Sequence, residues 1–226
     1  MCPKKKRGIN SNCLGEKQIH KIIIRVKNGL EEIVKISCGN IELDGLFQHK
    51  SFNKAAVITH PHPLYGGTMD NLVVHVLQEE LSKKGYSTLR FNFRQVYEQL
   101  TDIDSEKDLE TAINFLKEKK GIKNILLAGY SYGSWINTRV VSKGLNISKI
   151  IMVSPPVAFL DYKNIKTISC PGLVVTGVDD DIAPPELVKK EIKKWNYELK
   201  FKLIKGCDHF YQGYLEELEK IISEYI

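Results

Sequence analysis

Ile125-Leu126-Leu127-Ala128-Gly129-Tyr130-Ser131-Tyr132-Gly133 joins a short apolar run to the pattern G-x-S-x-G. The apolar part suits a strand buried on both faces, and helical periodicity resumes at Tyr132. A sharp strand-to-helix turn crowds the backbone, so small residues are needed on either side, and the central serine hydroxyl is thrust out at the sheet edge. The start of the following helix brings backbone N–H groups and a positive dipole to the same place. The five-residue pattern recurs by chance in many chains. Its setting between a strand and a helix makes Ser131 a candidate nucleophile.

Working outward, the same alternation repeats. Apolar runs at 55–59, 88–93, 149–153, 173–176 and 201–204 read as further buried strands. Helical periodicity fills the segments between them. Leu72, Val73, Val76, Leu77 and Leu81 share a face over 71–84, and Leu109, Ala112, Ile113 and Leu116 do so over 105–119. Residues 132–143, 185–194 and 213–226 are the other predicted helices. Upstream, residues 21–26, 32–36 and 41–47 read as short strands, the first two separated by Asn28-Gly29, a hairpin signal. The expectation is an α/β chain with a mostly parallel central sheet, an antiparallel N-terminal meander and helices on both faces. Only about twenty residues separate the strand ending at Val153 from the one starting at Leu173, too few for a folded cap domain.

The chain has 226 residues, 42% hydrophobic and 27% charged, the make-up of one soluble globular domain. We expect a disordered polar tail over residues 1–20 and a single domain over 21–226. The basic start, Pro3-Lys4-Lys5-Lys6-Arg7, is not followed by an apolar stretch, so a signal peptide is not expected, and no run is long enough to span a bilayer. A cytoplasmic protein without membrane attachment follows. The net charge of +6 draws four positive charges from that tail, so a solvated tail is preferred to a nucleic-acid contact. Five scattered cysteines without a C-x-x-C pair argue against a disulfide framework and against zinc. Neither metal nor organic cofactor is expected.

A serine nucleophile needs a base, and the base needs an acid to orient it. On this architecture they follow in the order acid, then histidine, each after a strand. His209 lies just after the run at 201–204. The run at 173–176 leads into Asp179-Asp180-Asp181, and chemistry alone leaves these three open. Two of them would be exposed turn residues. The loop after residues 55–59, Thr59-His60-Pro61-His62-Pro63-Leu64-Tyr65-Gly66-Gly67, should supply a backbone donor to an oxyanion, beside the Tyr132 N–H. Pro61 and Pro63 have no N–H, which leaves His62 or Leu64, with His62 preferred. Tyr65, Tyr130 and Tyr132 are candidates to line a pocket, or packing residues.

These motifs together resemble the small, lidless hydrolases of the α/β-hydrolase superfamily, similar to dienelactone-hydrolase-like and serine-aminopeptidase-like proteins. The resemblance runs from about Ile41 to the C-terminus. It rests on 60–71 (His60-Pro61-His62-Pro63 through Asp70-Asn71), Leu89-Arg90-Phe91-Asn92-Phe93-Arg94, the G-x-S-x-G pattern, Ser154-Pro155-Pro156 and Asp208-His209-Phe210-Tyr211. It implies Asp180 as the acid, through a G-x-x-D pattern followed by an apolar residue and proline. It also implies His62 as donor, two residues after the histidine closing the preceding strand. One departure stands out. Where the family shows a glycine-rich stretch after Asn92-Phe93-Arg94, this chain reads Gln95-Val96-Tyr97-Glu98-Gln99-Leu100.

The function implied is a serine hydrolase cleaving a small acyl ester or thioester through Ser131, His209 and Asp180 and an acyl-enzyme. A serine peptidase is a second reading, and a non-catalytic binding protein on a hydrolase scaffold a third.

Overall fold

Along the central strands, successive buried residues fall alternately into two separate apolar clusters, as the two-residue period of a pleated strand requires. Ala55, Val57, Ile125, Leu127 and Val174 join one cluster, whereas Ala56, Ile58, Leu126, Ala128, Leu173 and Val175 join the other. The sheet therefore needs cover on both faces. The computed structural model, which describes residues 23–26, 29–94, 101–196 and 198–226, shows what provides it. Helices α2 (Asp102–Asn114), α3 (Tyr132–Ser142) and α4 (Pro185–Trp195) carry Leu109, Ile113, Trp135, Ile136, Val188 and Trp195 into the first cluster. Helices α1 (Leu72–Lys83) and α5 (Leu215–Tyr225) carry Val73, Val74, Leu77, Leu81, Leu218 and Ile222 into the second. Truncating any of these fully buried leucines to alanine costs about 2–5 kcal/mol in lost transfer energy and cavity formation.

Among the described residues the sheet has nine strands, in the order β1-β2-β3-β5-β4-β6-β7-β8-β9. These are β1 (Ile23–Val26), β2 (Gly29–Cys38), β3 (Ile41–Gln48), β4 (Lys54–Thr59), β5 (Ser87–Phe91), β6 (Asn124–Tyr130), β7 (Lys149–Val153), β8 (Gly172–Gly177) and β9 (Lys200–Ile204). The first three form the antiparallel meander, β3 pairs β5 antiparallel, and β5 through β9 are parallel. After β4 the chain steps to one side to make β5, then returns to the other side of β4 to make β6. That reversal opens a crevice beyond the carboxyl ends of the strands, the usual ligand position in such sheets.

Residues 154–171, between β7 and β8, contain no helix or strand, so no cap rises from this connection. No helix among the described residues is long and apolar enough to cross a membrane. The basic tail of residues 1–20 and the segment 95–100 lie outside the described residues.

Several boundaries differ from the sequence-based expectation. Gly29 belongs to β2, paired with Val26, rather than to the turn. Helix α2 begins at Asp102 because the Thr101 hydroxyl accepts from the Asp104 N–H, and it continues as a π-helical turn over Phe115–Lys119. Leu72 is exposed instead of joining the apolar face of α1. As an outer strand, β9 exposes Lys200, Lys202 and Leu203 and is not buried on both faces.

Candidate active site

Strand β6 delivers Ser131 into a backbone conformation of φ 53° and ψ −121°, which an L-residue adopts only under compulsion. The compulsion is visible in the packing. A Cβ on Gly129 would lie 2.5 Å from Thr59 Oγ1, and one on Gly133 would lie 2.6 Å from the Thr59 carbonyl oxygen. The end of β4 thus presses on the turn from one side. On the other, the Ser131 N–H donates to the Val153 carbonyl of β7 at 2.9 Å. Held this way, Ser131 is half-buried and caps α3, leaving the Tyr132 N–H at the open amino end of the helix.

The Ser131 Oγ lies 2.9 Å from His209 Nε2, and His209 Nδ1 lies 3.0 Å from both carboxylate oxygens of Asp180. A carboxylate only accepts, so Nδ1 carries the proton and Nε2 is left to accept from the serine hydroxyl. Both partners of Ser131 are buried, Asp180 at 2% exposure and His209 at 6%. Asp179 and Asp181, by contrast, are exposed. Of the three adjacent aspartates, only Asp180 meets a histidine.

The sequence around Asp180 explains its orientation. Its Oδ1 accepts from the backbone N–H groups of Ile182 at 3.0 Å and Ala183 at 2.7 Å, and its Oδ2 from the Thr176 hydroxyl at 3.2 Å. Burial alone would raise the Asp180 carboxyl. The bond and charge of His209, with the Ala183 N–H and the Ser154 hydroxyl, outweigh it and hold the group below the usual carboxylate range. The acid and histidine loops approach so closely that a Cβ on Gly177 would sit 2.0 Å from the Cys207 carbonyl oxygen. From below, the Tyr130 hydroxyl donates to the His209 carbonyl at 2.6 Å. Tyr130 and Tyr132 are therefore packing residues, the latter donating to Ser105 Oγ at 2.8 Å, while Tyr65 is exposed.

The loop after β4 is anchored by β5 and the residues that follow it. Phe93 N–H donates to His60 Nε2 at 3.0 Å, Met69 N–H to Asn92 Oδ1 at 2.8 Å, and Arg90 binds the Met69 carbonyl and the Asp70 carboxylate. Arg90 also forms a buried pair with Glu31, so this clamp reaches back into β2. Two motifs far apart in the sequence, 60–71 and 89–94, are thus partners in one structure. Within the loop, the Leu64 N–H donates to His62 Nδ1 at 3.2 Å. The His62 N–H has no partner among the described residues, whereas the other sequence candidate is occupied. The His62 ring packs on Tyr132, centroids 4.3 Å apart, which sets this loop against the start of α3.

His60 is not arranged as a metal ligand, because both its ring nitrogens are engaged by backbone groups. Among the described residues no cluster of three or more His, Cys, Asp or Glu could hold a metal ion. Cys207 is buried, and desolvation pushes its thiol up to about 12, so it remains protonated beside His209. Sequence reasoning missed His60. The available signal was a histidine closing a buried strand, immediately before the loop expected to bind an oxyanion.

No family model matches the chain. It is 30% identical over 184 residues to an uncharacterised protein of Rickettsia prowazekii, an alignment covering 76% of this chain and 77% of that protein. It is 29% identical to an α/β serine hydrolase homologue from Coxiella burnetii, with a TM-score of 0.79 over 86% of this chain and 97% of the other. The chain belongs to the small α/β-hydrolase family. A serine hydrolase without a lid from Xanthomonas campestris, 22% identical, shares the fold at a TM-score of 0.76, covering 86% of this chain and 92% of that one. The likeness to the serine hydrolase homologue supports a hydrolase.

Proposed function

We propose that this α/β hydrolase is a serine esterase that cleaves small acyl esters or thioesters through Ser131, His209 and Asp180. The observation that carries the reading is the continuous line from Ser131 Oγ to His209 to the buried Asp180, in the tautomer a general base requires. Ser131 Oγ attacks the acyl carbonyl carbon while His209 Nε2 takes its proton, and Asp180 stabilises the resulting imidazolium. The Tyr132 and His62 N–H groups hold the oxyanion of the tetrahedral intermediate. Its collapse expels the alcohol or thiol, which leaves with the proton from His209. Water, deprotonated by His209, then attacks the acyl-enzyme, releasing the acid and restoring Ser131.

The surroundings support a small, uncharged acyl donor. Leu64 and Tyr65 after β4, Phe159 after β7 and Phe210 after β9 are all exposed at the carboxyl edge of the sheet. They offer apolar surface to an acyl or alcohol group without enclosing it. The test is labelling with a fluorophosphonate, which reacts only with an activated serine. Wild type labels, Ser131→Ala does not, and p-nitrophenyl butyrate turnover falls by roughly 10⁴-fold or more in that variant. A folded wild type that neither labels nor turns over the ester would remove the enzymatic reading and leave a binding protein on a hydrolase scaffold.

A further inference from the structure

His60 is 1% exposed, and both its ring nitrogens face main-chain groups. Nδ1 lies 2.6 Å from the Pro61 carbonyl oxygen, and Nε2 lies 3.0 Å from the Phe93 N. A carbonyl only accepts and an amide N–H only donates, so the ring is neutral with its proton on Nδ1. Burial lowers the imidazole to about 4, against the opposing pull of its bond to Pro61, so this state persists at neutral pH. The ring also packs on Phe93, centroids 4.9 Å apart, which fixes it toward the β5 side of β4.

The Pro61 carbonyl belongs to the same peptide group as the His62 N–H. The peptide is trans, and in a trans peptide C=O and N–H point in opposite directions. Binding the carbonyl toward β5 turns the N–H away from β5. On the other side of β4 lies β6, which ends at Tyr130, immediately before Ser131. We infer that His60 is a positioning residue, whose Nδ1–H locks the Pro61–His62 peptide so that the His62 N–H faces the oxyanion formed at Ser131. The inference rests on the esterase reading for its catalytic consequence, but the orientation of the peptide can be observed without any activity.

Pro61 and Pro63 have no N–H and the Leu64 N–H donates elsewhere, so over residues 61–64 the His62 amide is the one left to present. Gly67 packs against the same peptide, where a Cβ would lie 2.1 Å from the Pro61 oxygen, but its N–H donates to the His62 carbonyl of the next peptide at 3.1 Å and, among the described residues, not to the Pro61 oxygen. The orienting bond comes from His60.

Two variants separate positioning from simple packing. His60→Phe keeps the ring and loses the donor; His60→Asn places an amide N–H near the Nδ1 position. Expected for His60→Phe is a loss of about 10²-fold in kcat on p-nitrophenyl butyrate with KM within about threefold, the signature of a lost oxyanion donor. His60→Asn recovers at least about tenfold of that loss. A crystal structure of His60→Phe shows the Pro61–His62 peptide rotated. The inference is overturned if His60→Phe keeps kcat within about threefold, or if Asn and Phe lose equally. An unrotated peptide in the His60→Phe crystal also overturns it, including when the wild type proves inert and the esterase reading falls separately.

Discussion

Two buried histidines lie in the loops after β4 and β9, and they are chemically the same until one asks what Nε2 faces. In both, Nδ1 carries the proton and donates to oxygen: the Pro61 carbonyl for His60, the Asp180 carboxylate for His209. In both, Nε2 accepts. For His60 the partner is the Phe93 backbone N–H, whose proton cannot be transferred at any accessible pH. For His209 it is the Ser131 hydroxyl, whose proton can leave when oxygen attacks a carbonyl. Burial, tautomer and a hydrogen-bonded orienter are common to both and do not distinguish them. The group opposite the free nitrogen does.

The largest effect that would sharpen this contrast comes from Asp180→Asn. The amide can offer its carbonyl or its N–H to Nδ1, and the N–H drives the proton to Nε2, leaving His209 unable to accept from Ser131. We expect kcat to fall by about 10⁴-fold while the protein stays folded with a lowered melting temperature, measured by ester turnover and thermal unfolding. A loss under tenfold would mean that Asp180 does not set the tautomer.

Next in size is the response to acid. An unfolded histidine titrates near 6.5, and folded His60 near 4, so the folded state binds fewer protons between these values. Stability from this group is therefore complete above about pH 6.5 and is lost as pH falls toward 4, by about 3 kcal/mol. Asp180, held low, adds a further loss in stronger acid, where the unfolded chain takes up the carboxyl proton before the folded one does. Urea unfolding of wild type and His60→Asn at pH 7 and pH 4.5 checks the histidine's share: the gap between the two proteins should shrink in acid. A gap independent of pH would show that His60 is not held neutral by the fold.

The smallest effect tests the identity of the acid. Asp179 and Asp181 flank Asp180 but are exposed. Asp179→Asn and Asp181→Asn should each leave kcat/KM within about twofold and stability within about 0.5 kcal/mol. A large loss in either would undo the assignment of Asp180.

The parts of the site built from short sequence spans are legible in the sequence. Gly129 to Gly133 is a local turn, and the acid and histidine loops each follow a recognisable strand. Among Asp179, Asp180 and Asp181 side-chain chemistry does not choose, and only the family resemblance points to Asp180. The structure adds the physical reason, since the N–H groups of Ile182 and Ala183 aim that side chain alone toward His209. His60 is not legible because its partner, Phe93, is 33 positions away, across a strand pairing that periodicity cannot reveal. The exposure of β9 escapes the sequence for a related reason: short apolar runs look alike whether central or outermost, and only the pairing order separates them.

The contorted backbone at the carboxyl edge has a consequence for how such a chain evolves. Ser131 at φ 53°, Ser154 at φ 45° and Tyr211 at φ 59° are the non-glycine residues with left-handed φ among the described residues. Ser154 and Tyr211 bond to each other at 2.8 Å. Each such conformation costs on the order of 1–3 kcal/mol. Glycine would relieve the backbone strain at each position, but at Tyr211 it would also remove a fully buried ring, at a cost of about 3–5 kcal/mol. A drift toward glycine is therefore open at half-buried Ser131 but closed at Tyr211, where strain and packing are tied to the same side chain.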